Sequence, residues 1–226
     1  KHSPKPVRLL KPVKEFMAIP QDKASAAVVN ALNPEPGDVI LDMAAAPGMK
    51  TSLIMMLAEN RARVVAVDIS YKRLLMCANL LAKLGVDLSK VHLVAADSRD
   101  LLLRGVFDKV LLDAPCSNSG AVSKDPGVKI HLTPSKVRYY SKIQKDLISR
   151  AVKHASGLVV YSTCSIMPEE GEEVIATVCD AVRLVRKYPW SYPGYKVVNF
   201  YDKVMRFFPH KHLTEAFFLA VMETTG

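Results

Sequence analysis

Short apolar runs alternate with helical periods along most of this chain. Residues 39–43, 63–68, 91–97, 107–115 and 157–164 are apolar runs of strand size, each bounded by turn or polar residues. Between them, 50–59, 70–84 and 135–155 read as helices. Gly85 can end the second, and Thr133 or Ser135 can cap the third, which is long and amphipathic. Upstream, Ala24, Ala27, Val28 and Ala31 fall at helical spacing in 21–32, and the PEPG at 34–37 marks a turn. Residues 168–182 predict another helix, with Pro168 in its first turn. The tail, 204–223, predicts two strands around a His-rich turn. Strands alternating with helices imply an α/β fold with a parallel, doubly wound sheet, and the last strands, with no helix between them, imply an antiparallel C-terminal edge.

Residues 1–20 stand apart. They hold four prolines, and Lys1, Lys5, Arg8, Lys11 and Lys14 all precede the first acid, Glu15. This is the pattern of a basic, extended N-terminal arm before a single domain at 21–226. The segment has no apolar core of a secretory signal, so none is expected. The chain begins with Lys rather than Met, as a fragment or processed form would.

Composition narrows the classes. Of 226 residues, 50% are hydrophobic and 23% charged, which suits a globular protein rather than a disordered one. No apolar run approaches the roughly 18–20 residues of a membrane span. A net charge of +9 favours a polyanionic partner. The four cysteines, Cys77, Cys116, Cys164 and Cys179, form no CxxC pair, so neither a disulfide scaffold nor a structural zinc site is expected. A cytoplasmic monomer without metal is the expectation, nuclear or nucleolar if the cell is eukaryotic.

In doubly wound sheets, ligands bind beyond the carboxyl ends of the strands. The loop after the first strand, Ala44-Ala45-Ala46-Pro47-Gly48-Met49-Lys50, is either a plain strand–helix turn or a place where small residues let a ligand reach the backbone. It is no P-loop: Ala44 stands where the first Gly is needed and Met49 stands before Lys50. Asp68 ends the second strand, where a carboxylate suits a ribose diol or caps a helix. Arg73, one turn further, faces the same ligand or solvent. Asp97 accepts from an adenine amino group or caps a turn. Taken in order, the loop, Asp68 and Asp97 describe a pocket for an adenosyl group joined to a small zwitterion, which fits S-adenosylmethionine. The next two strands end in Asp113-Ala114-Pro115-Cys116-Ser117 and Ser162-Thr163-Cys164-Ser165. Cys77 and Cys179 read as core residues on apolar helix faces. Cys116 and Cys164 do not, and they meet over one crevice if their strands are neighbours.

These two cysteine motifs, behind Ala-Ala-Pro-Gly-Met-Lys-Thr at 45–51, resemble the Sun-domain family of RNA cytosine-5 methyltransferases over about 21–222. Arg206-Phe207-Phe208-Pro209-His210, with His212, Thr214, Phe217 and Phe218, resembles the same family's closing signature. Met49, Ala44 and Ala216 replace a usual Gly, a frequent Cys and a frequent Gly. The resemblance implies a Rossmann-like methyltransferase domain with a seventh, antiparallel strand, using S-adenosylmethionine on tRNA or rRNA. It implies Cys164 as the nucleophile, Cys116 in release of the adduct, Asp113 on the cytosine near N3 and on the cofactor, and Lys50 near the active site.

Basic residues with interleaved aromatics support an RNA partner. They include Lys124, Lys129, Lys136, Arg138, Lys142 and Lys145 with Tyr139 and Tyr140. A second group is Arg183, Arg186, Lys187, Lys196, Lys203, Arg206 and Lys211 with Trp190, Tyr192 and Tyr195. His210 and His212 suggest a turn or phosphate contact. Two alternatives compete: a catalytically idle RNA-binding factor for ribosome assembly, and an amino-group methyltransferase. Cys116 after Pro115 departs from the Pro-Pro-aromatic loop that the second would need.

Overall fold

The computed structural model describes residues 7–103 and 105–224. A 3-10 turn at Val7–Leu9 leads into α1 (Lys11–Lys14) and α2 (Lys23–Leu32). Then follow β1 (Val39–Asp42), α3 (Met49–Leu57), β2 (Arg63–Asp68), α4 (Tyr71–Lys83), β3 (Val91–Ala95) and β4 (Phe107–Asp113). The second half comprises α5 (Val128–His131), α6 (Pro134–His154), β5 (Ala155–Thr163), α7 (Glu172–Ile175), β6 (Val182–Leu184), β7 (Tyr192–Pro193), β8 (Met205–Phe207), α8 (Pro209–His212) and β9 (Phe217–Thr224). Helix starts follow their capping residues. Asp22 accepts from the N–H groups of Ala24 and Ser25, Ser70 from Arg73, and Thr133, not Ser135, from Lys136.

The strands form one sheet in the order β3-β2-β1-β4-β5-β9-β8-β7, with β6 also paired to β9. From β3 to β5 the pairing is parallel, and β9 runs antiparallel to β5, from Leu158↔Glu223 to Thr163↔Phe218. The expected antiparallel side is therefore present and larger than one strand, since short β8 and β7 continue beyond β9. Strand order reverses beside β1, with β2 on one flank and β4 on the other, so a crevice opens at the carboxyl ends of β1 and β4.

Alternate residues of each strand feed opposite cores. Ile40, Val64, Ala66, Leu111 and Val160 pack with α2, α3 and α4 through Val28, Ile54 and Leu81. Leu41, Val67, Val110, Leu112 and Tyr161 pack with α6 and α7 through Leu147, Ile148 and Val174. Each fully buried Leu or Ile contributes about 1.5–3 kcal/mol. Cys77 belongs to the first core, against Gly48, and burial beside Asp42 and Asp68 pushes its thiol up to about 11.

Two expectations are corrected. The helix at 168–182 is broken into a 3-10 turn at Pro168–Glu170, the single turn α7, and a second 3-10 turn at Cys179–Ala181, before the chain extends as β6. Gly171 is the break: a Cβ there would lie 2.9 Å from Phe218, so the backbone packs flat on that ring. Cys179 is accordingly half-exposed in a turn, not on an apolar helix face. The N-terminal arm, with Lys1 and Lys5 outside the described residues, is not simply extended. After α1, Phe16 to Ile19 lie along Ser52, Leu53, Met56 and Leu84, and Lys83 sits over the Phe16 ring. No helix among the described residues is long and apolar enough to cross a membrane.

Candidate active site

The crevice at the strand ends holds a cavity of about 420 Å³. Its wall includes Ala44 and Ala46 after β1, Asp68, Ile69 and Arg73 after β2, and Asp97 after β3. Asp113, Pro115, Cys116 and Asn118 come from the end of β4, Tyr139, Tyr140, Ile143 and Leu147 from α6, Cys164 from β5, and Phe217 from β9. Eight of the predicted site residues thus share one space. Ala45, Pro47, Gly48 and Met49 shape the loop from outside that wall, with Ala45 buried in the core. Lys50 reaches the site through Asp113.

Asp68 is buried and braces the loop it was expected to complement. Its Oδ2 accepts from the Ala46 N–H at 3.3 Å, its Oδ1 from the Ser70 N–H at 2.9 Å. Arg73 stands 3.3 Å from the same carboxylate and donates to the Ala46 carbonyl at 2.5 Å, so it lines the cavity while its side chain remains open to solvent. Asp97 is gripped by the Arg99 guanidinium at 2.6–3.1 Å, which holds its carboxyl below the usual range. This end of the pocket therefore offers two carboxylates, two arginines and the exposed apolar side chain of Ile69 beside Asp68. That donor set fits a ribose diol, a base edge and a flat apolar base face.

At the other end of the cavity, Lys50 Nζ lies 2.6 Å from Asp113 Oδ2, and Ser162 Oγ donates to Asp113 Oδ1 at 2.6 Å. Lys50 also sits 5.7 Å above the centre of the Phe217 ring. Behind this pair, Asp42 is fully buried and its carboxyl is pushed up to about 6, chiefly by desolvation, although Thr51 donates to it at 2.7 Å.

β4 and β5 are neighbours with Asp113 opposite Ser162, and the two cysteine loops do converge. The Sγ atoms of Cys116 and Cys164 are 3.2 Å apart. Hydrogen bonding to Cys164 and burial together push the Cys116 thiol well above its ordinary value. Cys164 is the more exposed of the two. Gly120 permits the approach: its N–H donates to the Cys164 carbonyl at 2.9 Å, and a Cβ there would lie 2.4 Å from the Ala216 carbonyl.

Sequence reasoning missed the groups that hold these loops. Glu170 is fully buried and accepts from the Ser117 N–H at 2.8 Å, the Ser117 hydroxyl at 2.5 Å and the Ser165 hydroxyl at 2.6 Å. Ser117 and Ser165 are the residues that follow the two cysteines. Next to it, buried Glu172 receives two hydrogen bonds from Arg206, at 2.8 and 2.5 Å, and the guanidinium stacks 4.0 Å from the Tyr195 ring centre. Arg206 is thus interior and half-buried Tyr195 packs on it, a correction to their expected place on an RNA-facing surface. Arg183 pairs with Glu223, and Arg186 donates to the Ser191 carbonyl. His212 is buried, receives the Phe208 N–H on Nδ1 and packs with Trp190, so it closes a turn. Among the described residues no cluster of three metal-ligating side chains occurs.

A Rossmann-like methyltransferase fold with paired thiols at its crevice defines the class. The family model described as 16S rRNA methyltransferase RsmB/F matches residues 29–223, and the chain belongs to that family. It is 37% identical over 206 residues to the tRNA (cytosine(72)-C(5))-methyltransferase of Pyrococcus horikoshii, covering 89% of this chain and 51% of that one. It is 36% identical over 216 residues to the tRNA (cytosine(49)-C(5))-methyltransferase of Pyrococcus abyssi, covering 90% and 69%. Its structure resembles that of NSun6 from Pyrococcus horikoshii with SFG, with a TM-score of 0.88, 35% identity, and 98% and 57% of the two chains covered. The chain spans about half the length of the first of these relatives.

Proposed function

We propose that this chain is the catalytic part of an RNA cytosine-5 methyltransferase that uses S-adenosylmethionine and a covalent cysteine adduct. The observation that carries the reading is the 3.2 Å thiol pair, set beside Lys50 and Asp113 at the topological switch point. Neighbouring names in the family, tRNA and rRNA cytosine-C(5) methyltransferases, agree with it.

Carbon 5 of cytosine is a poor nucleophile until a thiolate adds to carbon 6 and makes it enamine-like. Cys164, the more exposed thiol, is the one that attacks; the hydrogen bond to its neighbour and burial hold Cys116 as a thiol. Asp113, held by Lys50 and Ser162, accepts a hydrogen bond from the N3–H that forms when N3 takes up a proton from solvent as electron density builds on the ring, and N3 gives that proton back to solvent on release. When bound, S-adenosylmethionine supplies an electrophilic methyl group. Asp68 receives the ribose hydroxyls, Asp97 the adenine amino group, and the Ala44–Met49 loop with Arg73 the remaining polar end. Release reverses the addition: a base takes the carbon-5 proton, those electrons restore the ring double bond, and the carbon–sulfur bond breaks to return Cys164. Cys116 assists this last step.

The cytosine must be unpaired or flipped to reach the thiols. Arg138 and Lys142 on α6 are exposed close to the cavity residues Tyr139 and Tyr140 and suit the flanking phosphates. Incubation with methyl-labelled S-adenosylmethionine and tRNA or rRNA, followed by nucleoside analysis, tests the reading. Label in 5-methylcytidine is expected; label on an exocyclic amine, or bound cofactor with no transfer to any RNA, would contradict it.

A further inference from the structure

Asn118 places a third polar group against the reacting sulfur. It lies two residues after Cys116, with φ of 61°, in the left-handed region that few non-glycine residues other than Asn and Asp enter readily. This turn directs its side chain back over both thiols: Oδ1 is 3.0 Å from Cys164 Sγ and 3.6 Å from Cys116 Sγ. Glycine would serve such a turn at lower cost, so the backbone alone does not call for an amide there. The residue is exposed and forms part of the cavity wall, so it meets whatever enters the site. The hydrogen bonds of the Cys164 sulfur go to Asn118 and to Cys116.

A thiol donates a hydrogen bond and a thiolate accepts one, and the end of an Asn side chain offers both an acceptor oxygen and donor N–H groups. We propose that Asn118 is a further catalytic residue that serves Cys164 in both protonation states. In the resting site Oδ1 accepts the S–H. Once that proton has left for solvent, a half-turn of the amide brings Nδ2 round to donate to the thiolate. In the adduct the sulfur is a thioether and a weak acceptor, so this hydrogen bond is lost on attack and regained as the carbon–sulfur bond breaks. The amide thus stabilises Cys164 as the leaving group. The inference rests on the reading of Cys164 as the nucleophile.

Alkylation of Cys164 by iodoacetamide across a pH series, read by peptide mass spectrometry without RNA or cofactor, tests it. Asn118→Gly keeps the left-handed turn and removes the amide. Asn118→Asp keeps the size and the acceptor, removes the donors and adds a like charge. The midpoint for Cys164 should rise by about one pH unit in Asn118→Gly and further in Asn118→Asp. A midpoint unchanged or lowered in either variant overturns the proposal. The assay reads the thiol alone, so that outcome would leave the methyl-transfer reading standing, and failure of methyl transfer would leave the thiol result intact.

Discussion

Glu170 accepts two hydrogen bonds from Ser117, one from its backbone N–H and one from its hydroxyl, 53 residues away along the chain. The same carboxylate receives Ser165, so one buried group ties together the residues that follow Cys116 and Cys164. Removing it strands the N–H and hydroxyl of Ser117 in the interior and takes one partner from Ser165, whose hydroxyl keeps Ser119. Glu170→Ala should cost about 3–5 kcal/mol of stability, and Glu170→Gln, which keeps an acceptor, about 1–3 kcal/mol. Urea unfolding of the two variants measures this, and a Glu170→Ala protein as stable as the wild type would remove the clamp.

Asp42 gives the fold a pH dependence of known sign. Its folded-state value of about 6 lies above the ordinary 3.8, so the folded state holds the proton more tightly than the unfolded chain. Stability from this group is present at low pH and is lost as pH rises through that window. Asp42→Asn keeps an acceptor for Thr51 without the buried charge. It should stabilise the protein by about 2–3 kcal/mol near pH 7.5 and by almost nothing near pH 4. Urea midpoints at the two pH values decide, and an equal gain at both would rule out ionisation of Asp42 as the cause.

Asp68 has two tasks in this account: it braces Ala46 and it receives the ribose. Asp68→Ala should weaken S-adenosylmethionine binding by about 1–3 kcal/mol, the range for a charged hydrogen bond. Isothermal calorimetry that finds unchanged affinity would take Asp68 out of the binding site.

The strand-end chemistry was legible because it is local. Asp68, Asp113 and Cys164 each follow an apolar run that only a buried strand explains, and doubly wound topology sends such ends to one crevice. The clamp was not legible, because it is long-range. Glu170 and Glu172 lie in an acid-rich run that reads as a solvated helix, yet both are fully buried. The partner of Glu172, Arg206, comes 34 residues later, in a stretch whose other charges face water. Periodicity carries no sign of a buried ion pair, nor of the close contact between Gly171 and Phe218 that breaks the helix. Asn118 escaped for the same reason: its importance lies in where a left-handed turn aims its amide.

RNA binding should depend on salt. With a net charge of +9 and exposed cations on α6, contacts to phosphate release counterions. Replacing Arg138 and Lys142 with Ala should weaken RNA binding and reduce the slope of log K against log salt by about 1.4–1.8, or about 0.7–0.9 per lost contact. Filter binding over a range of salt concentrations reads both quantities. A slope identical to that of the wild type would place the RNA on another face.

The central claim is that Cys164 attacks and Cys116 releases, and a denaturing gel of protein incubated with RNA and S-adenosylmethionine tests it most directly. Cys116→Ala should accumulate a slow-migrating covalent protein–RNA band that disappears after nuclease treatment, because attack and methyl transfer proceed while release is hindered. Cys164→Ala should give no band and no methylation, and the double variant should also give no band. A band from Cys164→Ala but none from Cys116→Ala would reverse the two roles, and methylation by both variants without any band would contradict the covalent mechanism itself.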